Sequence, residues 1–294
     1  MKSVLVFLST FNGEKYLRPL LDSLISQKGI ELNVFIRDDG SKDGTLDIIT
    51  EYASNYSFIK SEFADNIGYA KSFWSLFGHA NKFDYYAFCD QDDIWDNNKL
   101  YKAVELLESQ PDENLPLLYT SDVIAVNNDK QVLNDRLFGF NGILNFYQSL
   151  QKSVLPGCTF VFNNTAFNVL SKYNGYMESH DWAVYCIVSA FGKVVFDGNS
   201  YIYYRIHQNN TIGKSNVMSG FLKKIFRFFK SSKRSRSRFA KDFYECYKND
   251  LKEEYASAVK LLGYYRAEKK KLRLIKDKRF HGVIFKSLVL LGKV

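Results

Sequence analysis

Short apolar runs alternate with segments of helical periodicity over the first third of the chain, and this alternation limits the folds open to it. Four runs have the length and composition of buried strands, at residues 3–9, 32–37, 58–63 and 85–89. Each run is followed by a segment with helical periodicity. Repeats of this kind predict βαβ units with right-handed crossovers. The expected class is therefore α/β, with a Rossmann-like, mostly parallel sheet flanked by helices.

The regular alternation of predicted strands and helices ends at Pro116. Residues 117–126 are predicted to form a strand, and a polar turn at 127–129 precedes a second hairpin arm at 131–133. A loop at 156–159 leads into another apolar strand, and the next predicted elements are a helix at 181–191 and short strands at 193–196 and 201–206. From about residue 217 the sequence predicts basic helices.

Polar loops follow three of the predicted strands, at residues 10–12, 38–41 and 90–93. In an open parallel sheet these strand ends converge on one crevice, where ligands bind. The third loop carries three carboxylates in four positions, which repel one another unless a cation or buried donors compensate. Asp90 and Asp92 could share a divalent cation such as Mg²⁺ or Mn²⁺. The alternative is that Asp93 or Asp96 only caps the following helix.

The residue types in these loops favour a nucleoside diphosphate as ligand. Phe11 offers a ring on which a base can stack, Asp39 can accept a hydrogen bond from a base N–H, and Asp90 can hold a ribose. A cation on Asp92 would neutralise the diphosphate. Neither GxGxxG nor GxxxxGK[ST] is present, so no glycine-rich loop supplies that neutralisation. By itself, the Asp39-Gly40-Ser41 segment is equally consistent with a simple tight turn.

Seven motifs, in order across residues 3–213, resemble family 2 glycosyltransferases, which have the A-type (GT-A) fold. They are STFNGEKYL (9–17), RDDGSKDGT (37–45), NIG (66–68), DQDDIW (90–95), GCTF (157–160), HDW (180–182) and YRIH…NTIG (204–213). The residues of several of these motifs are most similar to those of the rhamnosyltransferase branch, which builds bacterial surface polysaccharides. Phe11 departs from the Tyr more usual in that branch but keeps the stacking face.

The resemblance implies a role for each matched residue. Asp181 would be the catalytic base of an inverting transfer, although an Asp there is also a common helix N-cap. His180 and Trp182 would contact the acceptor. The metal ligands would be Asp90, Asp92 and His207, with Mg²⁺ or Mn²⁺ as cofactor, although His207 is equally consistent with a structural histidine. The implied nucleotide-sugar ligands are Thr10, Phe11, Asn12, Asp38, Asp39, Asn66, Gly68, Asp90 and Arg205.

Charge divides the chain unevenly. Residues 221–294 carry 22 Lys/Arg against 7 Asp/Glu, whereas residues 1–220 carry 18 against 25. The expected division is a catalytic domain over 1–215 and a basic helical extension over 216–294. On a helical wheel, residues 221–230 separate six apolar from four basic side chains, which favours binding to an anionic membrane surface. The alternative is a helix whose apolar face packs on the catalytic body.

The sequence thus predicts an inverting, metal-dependent glycosyltransferase acting on a lipid-linked saccharide acceptor. The donor would be dTDP-L-rhamnose, or in the alternative a UDP-hexose or UDP-N-acetylhexosamine. A nucleic-acid-binding protein acting through the basic tail is the alternative of another class, and a metal-dependent phosphohydrolase is disfavoured by the few histidines. No nucleic-acid partner is expected. Four scattered cysteines, no signal peptide and no long apolar run predict a cytoplasmic enzyme, peripheral on the inner face of the membrane.

Overall fold

The computed structural model describes most of the chain and positions the predicted elements in one α/β body. The described residues are 1–80, 82–112, 114–140, 142, 144–152, 155–206, 235–265, 268–281, 283–290 and 294. His207 and the segment 221–230, for which the sequence predicts a metal ligand and a membrane helix, lie outside them.

The first part of the chain forms the predicted βαβ units. Its elements are β1 (Lys2–Thr10), α1 (Glu14–Ile25), β2 (Ile30–Asp38), α2 (Thr45–Asn55), β3 (Ile59–Phe63), α3 (Tyr69–Ser75) and β4 (Tyr85–Asp90). A 3-10 turn, Leu76–His79, follows α3 directly. Strands β3, β2, β1 and β4 are parallel neighbours in that order.

The second part completes the sheet. Its elements are β5 (Ile94–Trp95), α4 (Lys99–Glu108), β6 (Leu117–Val126), β7 (Val132–Asn134), α5 (Phe146–Gln151), β8 (Val161–Asn163), α6 (Asn164–Leu170), α7 (His180–Phe191) and β9 (Lys193–Arg205). The path of the sheet is β3-β2-β1-β4-β8-β6-β9-β5, with β7 paired to β6. Strand β8 is antiparallel to both its neighbours, and β6 and β9 are parallel to each other. The two short strands predicted at 193–206 are one strand, whose register against β6 shifts near Asp122.

Alternate residues of the central strands supply two cores, one on each face of the sheet. Val4, Val6 and Leu8 of β1 face α1, α2 and α4, whereas Leu5 and Phe7 face the other side. The second core is rich in aromatic side chains from β4, α3 and α7.

The described helices after residue 234 pack on this second core. They are α8 (Ser235–Tyr247), α9 (Glu253–Gly263), α10 (Glu268–Lys276) and α11 (Val283–Leu290). Phe239, Phe243, Tyr247, Leu262 and Phe285 are all buried in it. The described part of the extension therefore shares a hydrophobic core with the α/β body formed by residues 1–206. Among the described residues, no helix is both long enough and apolar enough to span a bilayer.

Candidate active site

A crevice opens where the parallel strands end. The pairing of Thr10 with Asp38 and of Ser9 with Asp90 aligns the carboxyl ends of β1, β2 and β4. The crevice has a volume of about 980 Å³ and reaches α7 on its far side. The predicted site residues that line it are Thr10, Phe11, Asn12, Asp39, Asn66, Gly68, Asp90, Asp92, His180 and Asp181. These residues come from five of the seven motifs, and parallel pairing brings together the three loops that the sequence predicts to converge.

The first loop is tied to both of its neighbours. The Phe11 N–H donates to Gln91 Oε1 at 2.8 Å, and Gln91 Nε2 donates back to the Phe11 carbonyl at 3.0 Å. The Asn12 N–H donates to Ser41 Oγ at 2.8 Å, and Asn12 Oδ1 accepts from the Lys42 N–H at 2.8 Å. Phe11 lines the crevice and is 46% exposed as a residue, so its ring is available for stacking.

Asp38 and Asp39 have different surroundings. Asp38 is fully buried, and its carboxylate accepts from the Ser41 N–H at 3.0 and 3.1 Å, so it closes the turn after β2. Asp39 lines the crevice, is paired with Arg37, and accepts from the Gly68 N–H at 3.0 Å. Gly68 has a φ of 83°, a left-handed conformation that glycine adopts without strain. Asp39 therefore lines the crevice, whereas the Asp38 side chain is buried in the turn and does not line it.

The acidic turn presents Asp90 and Asp92 to the crevice and turns Asp93 inward. Burial, followed by the charges of Asp92 and Asp181, raises the pKa of Asp90 to about 7. A divalent cation would relieve this repulsion, and carboxylate oxygens are the hard ligands that such a cation prefers, so the residues fit a metal site. Helix α4 begins only at Lys99, and its N-cap Asn98 makes no side-chain capping bond. Asp93 therefore does not cap α4, whereas Asp96 lies at the start of this helix, where its Oδ1 accepts from the Asn98 N–H at 2.8 Å.

A buried cluster of ionisable groups lies behind this turn, and the sequence motifs do not predict it. Lys99 is 1% exposed, and its Nζ lies 3.3 Å from the centroid of the Trp95 ring. Burial lowers the pKa of Lys99 to about 8 and, with Asp92 and Asp90, raises the pKa of Asp93 well above its ordinary value. Asp90, Asp93 and Cys158 offer ligand-type atoms that all lie within 4.8 Å of one another. Helical periodicity predicts the burial of Lys99, because Lys99 lies on the same face of α4 as the buried residues Ala103 and Leu107, four and eight positions later.

The far wall of the crevice is the start of α7. Asp181 lies in the first turn, and its Oδ1 accepts from the Trp182 N–H at 2.7 Å. His180 stacks on Phe73 with a centroid distance of 4.1 Å, and burial lowers its pKa to about 4, so the imidazole is neutral near pH 7. Neither ring nitrogen of His180 has a hydrogen-bond partner among the described residues. A polar substrate group at this wall would supply one.

Gly157 allows the loop before β8 to pack closely against the start of α7. A Cβ built on it would lie 2.8 Å from the Asp181 Cβ and 3.1 Å from His180 Nε2. Tyr69 stands at the mouth, 53% exposed, and its hydroxyl donates to the Glu178 carbonyl at 3.2 Å. Gln91, Tyr69 and Gly157 all line the crevice. Gln91 and Gly157 belong to the DQDDIW and GCTF motifs, but the resemblance implies no role for either residue.

The structure does not bring Trp182 or Arg205 to the crevice surface. Trp182 is 3% exposed, its Nε1 donates to the Ser149 carbonyl at 2.7 Å, and its ring lies 4.8 Å from that of Phe239. Arg205 is buried at the end of β9, where its guanidinium lies 5.5 Å from the Tyr16 ring and donates to the Asn128 carbonyl at 3.4 Å.

A protein-family model and an individual protein each match more than half of this chain. The family model described as "Glycosyl transferase family 2" matches residues 5–171. A dTDP-rhamnosyl transferase, RfbG of Shigella flexneri, is 29% identical over 223 residues, which cover 70% of this chain and 73% of that protein.

Two solved structures illustrate the likeness of fold. TarS of S. aureus, in complex with UDP-GlcNAc, superposes with a TM-score of 0.60 at 18% identity, covering 93% of this chain and 76% of that one. The mannosyltransferase PcManGT of Pyrobaculum calidifontis, in complex with GDP-Man and Mn²⁺, gives a TM-score of 0.53 at 13% identity, covering 98% and 74%. These likenesses confirm the α/β, GT-A-type fold that the sequence predicts.

Proposed function

Because this chain belongs to glycosyl transferase family 2 and is a glycosyltransferase, we propose that it performs an inverting, metal-dependent transfer of L-rhamnose from dTDP-L-rhamnose to a saccharide hydroxyl. The observation that carries the proposal is the meeting of three acidic groups in one crevice: Asp39 after β2, the Asp90–Asp92 turn after β4, and Asp181 on α7. The similarity to a dTDP-rhamnosyl transferase supports the choice of sugar.

In the proposed donor site, the base stacks on the exposed Phe11 ring while Asp39 accepts from a base N–H. Arg37 and the Gly68 N–H hold the Asp39 carboxylate in a fixed orientation, so little freedom is lost on binding. Asp90 and Asp92 would hold Mg²⁺ or Mn²⁺, which when bound offsets the negative charge of the leaving nucleoside diphosphate.

Asp181 acts as the general base in this proposal. Its carboxylate takes the proton of the acceptor hydroxyl as that oxygen bonds to the anomeric carbon, and the bond from that carbon to the diphosphate breaks on the opposite face. The electron pair of the broken bond leaves with the nucleoside diphosphate, and a single displacement inverts the configuration. The neutral His180 lies at the same wall, and its two ring nitrogens have no hydrogen-bond partner among the described residues, so it is suited to bind a second hydroxyl of the acceptor.

A UDP-hexose or UDP-N-acetylhexosamine is the second candidate donor. A stacking aromatic and a single Asp do not distinguish thymine from uracil, and TarS, of the same fold, is known in complex with UDP-GlcNAc.

Thermal unfolding with Mn²⁺ and a panel of nucleotides tests the donor site. The panel contains dTDP-L-rhamnose, dTDP, UDP-glucose, UDP-N-acetylglucosamine and UDP. A ligand present at one hundred times its Kd adds about 2.7 kcal/mol to the free energy of unfolding, so the midpoint should rise by roughly 5 °C. Asp92→Asn should abolish the Mn²⁺-dependent rise, whereas Asp135→Asn, which removes an exposed carboxylate, should retain it. A larger rise with a UDP-sugar would replace the donor, and no rise with any nucleotide would refute the proposed site.

We also propose that the basic extension holds the enzyme on the anionic cytoplasmic face of the membrane, where a lipid-linked acceptor would be found. The segregation of apolar and basic side chains over residues 221–230 supports this. Co-sedimentation with phosphatidylglycerol vesicles, compared with phosphatidylcholine vesicles, measures the binding. Replacing Lys223, Lys224, Arg227 and Lys230 by Gln should abolish it. The same replacement at four exposed lysines of the body should not; these are Lys28, Lys60, Lys82 and Lys130. Equal losses in the two variants would show only a general charge effect.

A further inference from the structure

Helix α8, in the extension, packs directly against the helix that carries Asp181. Phe239 is fully buried, and its ring lies 4.8 Å from that of Trp182, the residue that follows Asp181. The Trp182 Nε1 donates to the Ser149 carbonyl in α5 at 2.7 Å. The indole of Trp182 is therefore clamped between α5 and α8.

Arg236 closes this clamp. Its Nε donates to the Gln151 carbonyl at 2.8 Å, and its guanidinium carbon lies 5.7 Å from the Trp182 ring centroid. Arg236 is half-buried, and burial lowers the pKa of its guanidinium while the charge of Glu178 acts in the opposite direction. Burying a guanidinium is unfavourable unless it is hydrogen-bonded and faces an aromatic ring or a carboxylate. Arg236 lies on α8, donates to a carbonyl of α5 and faces a ring on α7, so it fixes the relative positions of these three helices.

A second tie from α8 holds the segment that leads into α7. The Tyr176 N–H donates to Asp242 Oδ2 at 2.9 Å, and the Arg238 guanidinium lies 4.0 Å from the Tyr176 ring. A Cβ on Gly175 would lie 2.5 Å from the Asp242 Cβ, so the two backbones come as close as glycine permits. Tyr176 precedes the proposed base by five residues, and Trp182 follows it by one.

We propose that α8 positions the catalytic base, with Arg236 and Asp242 as positioning residues that fix Asp181 at the acceptor wall of the crevice. This inference rests on the proposed function, in which Asp181 takes the acceptor proton. The contacts of α8 described above all fall on α5, α7 and the segment before α7. The donor side is built separately, by the loops after β1, β2 and β4. Loosening α8 should therefore impair the chemical step and leave donor binding intact.

The test measures kcat and KM for slow hydrolysis of the donor, in which water replaces the acceptor, by release of the nucleoside diphosphate. The donor is whichever sugar nucleotide gives the largest thermal shift in the panel above. Asp242→Ala should lower kcat by about tenfold to a hundredfold, the loss expected of a base displaced by up to 1 Å, with KM for the donor within about twofold of wild type. Asp242→Asn keeps an oxygen that can accept from Tyr176 and should restore kcat. Arg236→Met should behave as Asp242→Ala does.

Lys241→Ala is the matched control, because Lys241 lies on the same helix with an exposed side chain and should leave both parameters unchanged. Asp242 is only partly buried, so its variants should fold. They therefore test the inference even if Arg236→Met does not fold. Wild-type kcat in Asp242→Ala, or a parallel change in KM, would overturn the inference. If Asp181→Asn retains full hydrolysis, the assignment of the base fails instead, whatever the α8 variants do.

Discussion

Replacing Gly157 by Ala should slow catalysis through a steric effect on the proposed base. The new Cβ would lie 2.8 Å from the Asp181 Cβ, 3.1 Å from His180 Nε2 and 3.7 Å from the Asp181 Cγ. Carbon atoms in contact ordinarily stand about 3.5–4.0 Å apart, so Asp181 must retreat by roughly 1 Å. Gly157 does not have a left-handed φ, so the substitution adds a clash without adding backbone strain.

A displacement of roughly 1 Å at a reacting group costs about a hundredfold in rate. Overpacking of this kind destabilises a protein by about 1–3 kcal/mol, so the variant should still fold. The assays are donor hydrolysis for kcat, calorimetric titration with the nucleoside diphosphate for donor affinity, and urea unfolding for stability. We expect kcat to fall by about two orders of magnitude while donor affinity changes less than about threefold.

Gly198→Ala is the control, because a Cβ there meets no atom of the described residues within 4 Å. Wild-type kcat in Gly157→Ala would refute the role of Asp181 as a base held against this glycine. A joint loss of kcat and donor affinity would show that the loop had moved as a whole.

The remaining predictions concern buried charge. Lys99 is buried, and its pKa is lowered from 10.5 to about 8, so across this window the unfolded chain is protonated at this group where the folded chain is not. Stability should therefore rise with pH from 8 to 10.5, and Lys99→Met should remove that part of the slope in urea unfolding; an unchanged slope would contradict the burial of this charge. His180 has a pKa lowered from 6.5 to about 4, so between these values the unfolded chain binds a proton that the folded chain does not. Stability should therefore rise with pH across this window by roughly 3 kcal/mol and be lost as the pH falls, and His180→Gln should remove that part of the slope in urea titrations between pH 4.5 and 7.5. Because the pKa of Asp90 is raised to about 7, protons compete with the cation below that value, and the Mn²⁺-induced rise in melting temperature should be larger at pH 8 than at pH 6; equal rises would argue against Asp90 as a ligand.

The fold and the meeting of the loops were predictable because both depend on strand order and on parallel pairing. Thr10, Asp39, Asp90 and Asp92 each follow an apolar run closely, and the carboxyl ends of parallel strands share one edge of the sheet. Their convergence needs no knowledge of side-chain packing.

The orientation of neighbouring side chains was harder to predict from motifs. Asp38 and Asp39 occur in one motif, but adjacent residues at a strand end point to opposite sides, and only Asp39 lines the crevice. Asp181 and Trp182 are adjacent in α7, where successive side chains point about 100° apart, so Asp181 reaches the crevice while Trp182 reaches the core. Backbone periodicity would have separated both pairs in advance.

Long-range packing lay beyond the sequence pattern. The basic composition of the extension favours a solvated or lipid-facing surface, yet Phe239, Phe243 and Tyr247 recur at four-residue intervals and are buried against the catalytic body. Which surface a buried stripe will cover depends on contacts between residues that are distant in sequence, and these are not visible in the periodicity itself.

The shared core has a practical consequence for preparing the protein. A chain ended at residue 215 would keep every proposed donor-site residue but would lose the partners of Phe146, Tyr173 and Trp182, whose rings now contact Phe239 or Phe243. Newly exposed aromatic patches promote association between molecules. Such a shortened protein should accumulate in inclusion bodies on expression, and supplying residues 235–294 as a separate polypeptide in the same cells should return part of it to the supernatant.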